Sequence, residues 1–138
     1  VRDFADKGGL VGAADDAGFI YTLYGFTYLS ELELLQEAGF HPIDVIQCAT
    51  GNNAKLMGLE NELGRVRQGF LADLILLDEN PLANLKYLYP TGVLDIKDGK
   101  DVIRGGIKWT IKDGIVYNTP TLMQDVKDMV SKARAERK

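Results

Sequence analysis

The stretch Leu63-Gly64-Arg65-Val66-Arg67-Gln68-Gly69-Phe70-Leu71-Ala72-Asp73-Leu74-Ile75-Leu76-Leu77-Asp78-Glu79-Asn80-Pro81-Leu82 organises the rest of the chain. Its two apolar runs, residues 63–66 and 72–78, read as strands because short runs of branched aliphatics between turn residues suit a pleated, half-buried surface. Arg67-Gln68-Gly69 separates them as a turn, and Asn80-Pro81 starts another, with a short helix expected over residues 82–87. Toward the C-terminus, residues 92–106 are polar and glycine-bearing, the composition of a long surface loop or a hairpin. Ile107-Lys108-Trp109-Thr110-Ile111 alternates cleanly, and Asp113-Gly114 predicts a tight hairpin turn before Ile115-Val116-Tyr117. Over residues 121–137, Leu122, Val126, Met129, Val130 and Ala133 share one helical face, the signature of an amphipathic terminal helix.

Toward the N-terminus the periodicity changes from two to 3.6. Residues 27–38 carry Leu29, Leu32, Leu34, Leu35 and Ala38 at helical spacing, and Gly39 supplies the stop. Pro42 opens a second helix over residues 43–50, and a third is expected from Asn52 to Met57, closing at Gly58. Leu10-Val11-Gly12-Ala13-Ala14 is a short apolar run that ends at Asp15-Asp16-Ala17-Gly18 and fits a buried parallel strand, although periodicity alone leaves a helix open. Residues 1–9 read as the end of a helix stopped by glycine. A chain that opens inside an element, without an initiator methionine, is expected to be cut from something longer. The change from helices to strands falls near residues 58–64.

Composition narrows the classes of function. With 138 residues, 46% hydrophobic and 26% charged, the chain has the balance of a soluble globular domain or part of one. The net charge of −4, with both signs mixed, argues against nucleic acid as a partner, because phosphate binding needs a clustered basic surface. Only the tail is locally basic, with Lys127, Lys132, Arg134, Arg137 and Lys138 against Asp128 and Glu136; a solvated helix end whose cations suit the dipole explains it. No apolar run approaches the roughly 20 residues that span a bilayer, so no membrane partner is expected. The single cysteine, Cys48, allows no intrachain disulfide and fits a cytoplasmic rather than a secreted protein.

Few residues could carry chemistry. Asp15 and Asp16 end an apolar run, and a carboxylate there can bind a metal or act as a general base. A turn or helix-cap aspartate before glycine is the alternative, and spacing alone favours it. His41 is the only histidine and cannot build a histidine-rich zinc site; beside Pro42 it suits capping or simple exposure. Cys48 lies mid-helix and reads as packing. Tyr21, Tyr24, Phe26 and Tyr28 form an aromatic run after the aspartates that either lines a substrate pocket or packs in the core.

Taken in order, these pieces resemble the metal-dependent amidohydrolases. Residues 63–82 are similar to that family's tail motif "LG-x-[IV]-x-x-G-x-x-ADL-[IV]-[VIL]-[LV]-D-x-[ND]-PL". Ala14-Asp15-Asp16-Ala17-Gly18 resembles its "G-[TS]-D-[AS]-G" at the end of the eighth barrel strand. Residues 31–39 resemble an "ELELLVEAG" helix, residues 41–50 the following "x-P-x-E-A-[IL]-x-x-AT", and residues 111–117 the closing "V-x-K-DG-x-[VI]-V" hairpin. The match covers about residues 9–118 and is nearest to the imidazolonepropionase-like and Xaa-Pro dipeptidase-like members.

The resemblance implies an α/β fold: the last strand and helices of a (β/α)8 TIM-like barrel, the C-terminal share of a small β-sandwich, and a terminal helix. Residues 1–58 would be the end of the barrel, 59–118 part of the composite sandwich, and 119–138 the amphipathic helix. It implies metal-assisted hydrolysis of a C–N bond in an amide, cyclic amide or dipeptide. A divalent ion, zinc above all, would lower the pKa of bound water in the full-length enzyme. Asp16 aligns with the aspartate that touches the metal and accepts the water's proton. Asp15 stands where Thr or Ser is usual, which leaves a swap of roles between the two carboxylates open, and Tyr21 and Tyr24 would lie near the substrate.

The family's His-x-His, bridging lysine or glutamate, and two later histidines have no counterpart among these residues. The isolated chain is therefore expected to be inactive, to hold no metal tightly, and to self-associate because its strand is unpaired and its sandwich face open, with exchange of strands or of the C-terminal helix between copies as the routes. Two other readings compete: a complete small binding or assembly module without chemistry, and a fragment that pairs with a separate chain holding the missing ligands.

Overall fold

The computed structural model describes residues 1–137. Helix α1 (Arg2–Asp6) ends where Gly8, at φ +87°, turns the chain. Residues 7–26 carry no helix or strand and lead into α2 (Thr27–Glu37). At the end of α2, Gly39 takes φ +95° and the Phe40 amide bonds the Leu35 carbonyl, so the expected glycine stop is present. Helix α3 (Pro42–Gln47) begins with Pro42 in its first turn, and the Asp44 carboxylate accepts from the His41 amide at 3.3 Å. It continues without a break through a π-helical turn (Cys48–Asn52) into α4 (Asn53–Leu56). The two helices expected over residues 43–50 and 52–57 are thus one helical rod with a widened turn at their junction.

The core follows the helical periodicity. Leu29, Leu32 and Leu35 of α2 pack with Phe40, Val45, Cys48 and Ala13, and Leu85 and Leu88 of a 3-10 turn (Leu85–Leu88) close the cluster. Val45 is wholly buried. The C-terminal part forms two small antiparallel sheets. One orders β1 (Leu74–Leu77), β4 (Ile107–Lys112) and β5 (Ile115–Asn118), with β4 central; the other is the hairpin β2 (Val93–Lys97) and β3 (Lys100–Arg104). Asp113-Gly114 turns β4 into β5 with both residues at positive φ, as does Asp98-Gly99 between β2 and β3. The polar stretch 92–106 is therefore a hairpin. Arg104 ties it down: its guanidinium forks onto Glu79 with two bonds of 3.0 Å, reaches Asp95 at 3.0 Å, and lies 5.4 Å from the centre of the Tyr87 ring. Helix α5 (Thr119–Ala135) follows β5 directly. Asn118 caps it by accepting from the Thr121 amide at 2.9 Å, and Thr119 bonds Thr110 of β4 at 3.1 Å.

Two expected strands are not formed. Residues 63–66 are bent, irregular chain: the Leu63 amide bonds Leu59, and Gly64, at φ +85°, leans on the Thr50–Ala54 segment. A Cβ on Gly64 would come within 2.6 Å of the Ala54 side chain, so close packing against the helical rod overrides the apolar pattern there. Residues 10–14, the expected closing barrel strand, have no ladder partner among the described residues, because the five strands present all pair elsewhere. The expected helix over 82–87 shrinks to the 3-10 turn one step later. The terminal helix stands where expected; Lys138 lies outside the described residues.

Candidate active site

Lacking a strand neighbour, residues 11–13 are held by side chains. The Asn53 amide group takes both sides of Ala13: its Oδ1 accepts from the Ala13 N–H at 3.0 Å, and its Nδ2 donates to the Ala13 carbonyl at 2.6 Å. Asn52 Nδ2 donates to the Val11 carbonyl at 2.7 Å. A primary amide presents one acceptor edge and one donor edge, which is what an adjacent backbone would offer. The two asparagines sit at the junction of the π-turn and α4, where the extra residue widens the helix. This clamp fixes the segment that leads into Asp15 and Asp16.

Both aspartates are exposed. Beyond them the chain folds back on itself: the Asp16 carbonyl accepts from Thr22 Oγ1 at 3.0 Å, and the Gly18 amide donates to the Thr22 carbonyl at 3.1 Å. At the tip, Ile20 and Tyr21 both take positive φ, 30° and 64°, which side chains with a Cβ adopt only under constraint. Tyr21 is fully exposed and Tyr24 is 79% exposed, so the core-packing alternative for these two is wrong. Phe19, Ile20 and Leu23 of the same loop are exposed too.

Tyr28 is different. Its hydroxyl donates to the Ala49 carbonyl at 3.3 Å, and burial, then the nearby charges of Asp15 and Glu31, push its pKa above the ordinary phenol value. It stays a neutral hydroxyl beside Asp15. Asn53 donates to the same Ala49 carbonyl at 3.5 Å, so Tyr28 and the clamp meet at one backbone acceptor, and the Asp15 charge reaches the phenol through space. Sequence reasoning named Asp15, but it gave Asn52 and Asn53 no role and Tyr28 only a place in the aromatic run. The available signal was an asparagine pair inside a helical stretch, where asparagine is a poor helix former.

Two candidates remain. His41 is exposed at the start of α3. Cys48 is buried, and burial raises its thiol pKa, so it is a packed, protonated thiol and not a nucleophile. A cleft of about 730 Å³ opens between Leu10, Ile43, Ile46, Thr50, Lys55 and Arg65; neither aspartate lines it.

Among the described residues, no three His, Cys, Asp or Glu side chains lie close enough together to hold a metal ion. Catalytic zinc needs about three protein ligands. The donor set of this chain, two neighbouring carboxylates with the one histidine elsewhere, does not by itself fit such an ion.

Known proteins resemble this chain in sequence and in fold. By sequence, the chain is 33% identical over 73 residues to the ochratoxinase of Aspergillus niger, covering 51% of this chain and 15% of that protein. It is 41% identical over 68 residues to the adenine deaminase of Desulforamulus reducens, covering 49% of this chain and 10% of that protein. By structure, it superposes on a Xaa-Pro dipeptidase crystallised with methionine bound in the active site, with a TM-score of 0.65 and 29% identity, over 85% of this chain and 24% of that one. The chain therefore spans a quarter or less of the length of each. The model of the amidohydrolase family matches residues 13–102, well over half of the sequence, and the α/β fold agrees with that match. This chain belongs to the amidohydrolase family.

Proposed function

We propose that the chain contributes the carboxylate end of a site that hydrolyses C–N bonds, in an amide, cyclic amide or dipeptide, with Asp16 as the proton-accepting group. The observation that carries this reading is the asparagine clamp, which delivers two exposed carboxylates from an otherwise unsupported segment. Asp16 takes the proton of the attacking water and passes it to the departing nitrogen, the exchange that a carboxylate performs as base and then acid. Asp15, beside the neutral Tyr28, adds a second charge at the same mouth, and the exposed Tyr21 and Tyr24 stand ready to cover a substrate. The ochratoxinase, adenine deaminase and Xaa-Pro dipeptidase names of the relatives support C–N hydrolysis as the class.

In the same reading, residues 1–58 are the end of a barrel, residues 59–118 a share of a sandwich and residues 119–138 an outer helix. A catalytic metal would need further ligands beside Asp16, from outside the described residues, and the free Cys48 suits the reducing cytoplasm. Mixed with zinc and a panel of dipeptides and cyclic amides, the chain alone should give no turnover; robust hydrolysis would overturn the incomplete-site reading. Added to an amidohydrolase relative lacking its matching C-terminal region, it should restore hydrolysis, and Asp16→Asn should abolish that rescue. Equal rescue by Asp16→Asn removes Asp16 from its role.

A further inference from the structure

Helix α5 presents an apolar stripe that stays exposed among the described residues. Leu122, Val126, Met129 and Val130 are 46–63% exposed, although they recur at the spacing that normally marks a core-facing side. The helix is well anchored at its start, by the Asn118 cap, Pro120 in the first turn and the Thr119–Thr110 bond, so the stripe is displayed by a fixed element. Beside it on one flank lie Asp125 and Lys132, and among the described residues neither forms a salt bridge within the chain.

We infer that this stripe is a contact between two copies of the chain, with the α5 helices packed antiparallel. The charge pattern selects both partner and direction. Antiparallel packing that sets Val126 against Met129 of the second copy also sets Leu122 against Ala133. At a rise of about 1.5 Å per residue, the same register leaves Asp125 about 3 Å along the axis from Lys132 of the second copy, on the same flank, and the reciprocal pair forms by symmetry. Packed parallel, the flank that carries Asp125 and Lys132 would face the opposite flank of the second copy, so the pair could not form, and the helix dipoles would be aligned. Four apolar side chains per copy bury less than the roughly 1,200 Å² of a standard interface, so the contact is a reversible dimer that tracks concentration. The inference is independent of any role for Asp16.

Sedimentation velocity on the 138-residue chain from micromolar to millimolar concentration tests it. The chain should pass from monomer to dimer, and Met129→Lys should hold it monomeric while circular dichroism keeps its helix content. Asp125→Lys and Lys132→Asp should each weaken the dimer about tenfold, a difference that shrinks in high salt, and the double exchange D125K/K132D should recover most of the loss. Under mild oxidation, Leu122→Cys chains should cross-link to Ala133→Cys chains in preference to their own kind. A monomer throughout, a dimer indifferent to the charge exchanges, or cross-links between like positions would each overturn the proposal.

Discussion

The helical half of this chain holds fewer Val, Ile and Leu residues than the β half, 13 in residues 1–58 against 20 in residues 59–118, yet its helices bury several of theirs and the strands bury none. In residues 1–58, the apolar positions of α2, α3 and the π-turn converge on one cluster in which Leu32, Leu35, Phe40, Val45 and Cys48 are all buried. In the two sheets no strand residue is buried, and β5 is exposed along its whole length. A helix hides a stripe by packing on another helix next to it in sequence, whereas a sheet hides a face only when another layer lies over it. The sheets here are ordered by backbone ladders, tight turns and the Arg104 fork more than by apolar burial. Local pairing is enough to shape a strand, but it leaves the strand's side chains to whatever comes next.

That contrast can be broken most decisively in the helical core. Leu32→Ala, at a position 3% exposed, should cost about 2–5 kcal/mol in chemical unfolding, because it combines lost transfer energy with a cavity. Ile96→Ala in β2, at 72% exposed, should stay within about 0.5 kcal/mol. Equal losses at the two positions would erase the distinction. Next in size comes the junction of the two halves. Gly64→Ala forces a Cβ to 2.6 Å from Ala54 and to 3.0 Å from the Thr50 carbonyl at a left-handed φ, and should cost about 1–3 kcal/mol, read by thermal melting.

The asparagine clamp sharpens the comparison further, since it replaces a sheet partner with a side chain. Asn53→Ala leaves the Ala13 amide and carbonyl without their bonds and should cost about 1–3 kcal/mol. Hydrogen exchange at the Ala13 amide should accelerate well beyond that of the α2 amides; unchanged protection would show that the clamp does not hold the segment. The smallest effect is electrostatic and belongs to the sheets. A hydrogen bond from Lys112, then one from the Asp113 amide, lower the Asp73 pKa below its ordinary 3.8. A depressed folded-state value means the stabilisation is complete above that ordinary value and fades as pH falls through the lowered one. Acid below about pH 4 should therefore loosen the β4–β5 turn, seen as shifts of the Lys112 and Asp113 amides, while the α2 amides hold.

Much of this was legible in the residues. The helices at 27–38 and 121–137, the glycine stop at Gly39 and the Asp113-Gly114 turn rest on interactions within a few residues of one another, so the sequence fixes them locally. The ordered series of motifs pointed to the amidohydrolase family, and the match over residues 13–102 agrees. The misreadings share one cause. Residues 63–66 carry a strand-like pattern but are captured by a long-range contact through Gly64, and residues 10–14 have no ladder partner among the described residues. At the candidate site, Asp15 and Asp16 stood out as charges at the end of an apolar run. The asparagines that hold that run lie 40 residues away from Ala13 and 41 from Val11 in the chain, beyond the reach of any local rule.

The order of residues was therefore sufficient for the helices, the hairpin turns, the carboxylate pair and the family, because capping, periodicity and turn chemistry act between near neighbours. Tertiary structure alone decided three things: that an amide side chain holds a segment with no ladder partner among the described residues, that Tyr28 is half-buried on the Ala49 carbonyl while Tyr21 and Tyr24 face solvent, and that the stripe on α5 is left exposed. Each depends on which distant surfaces meet, and contact between segments far apart along the chain is set by the packing of the whole fold.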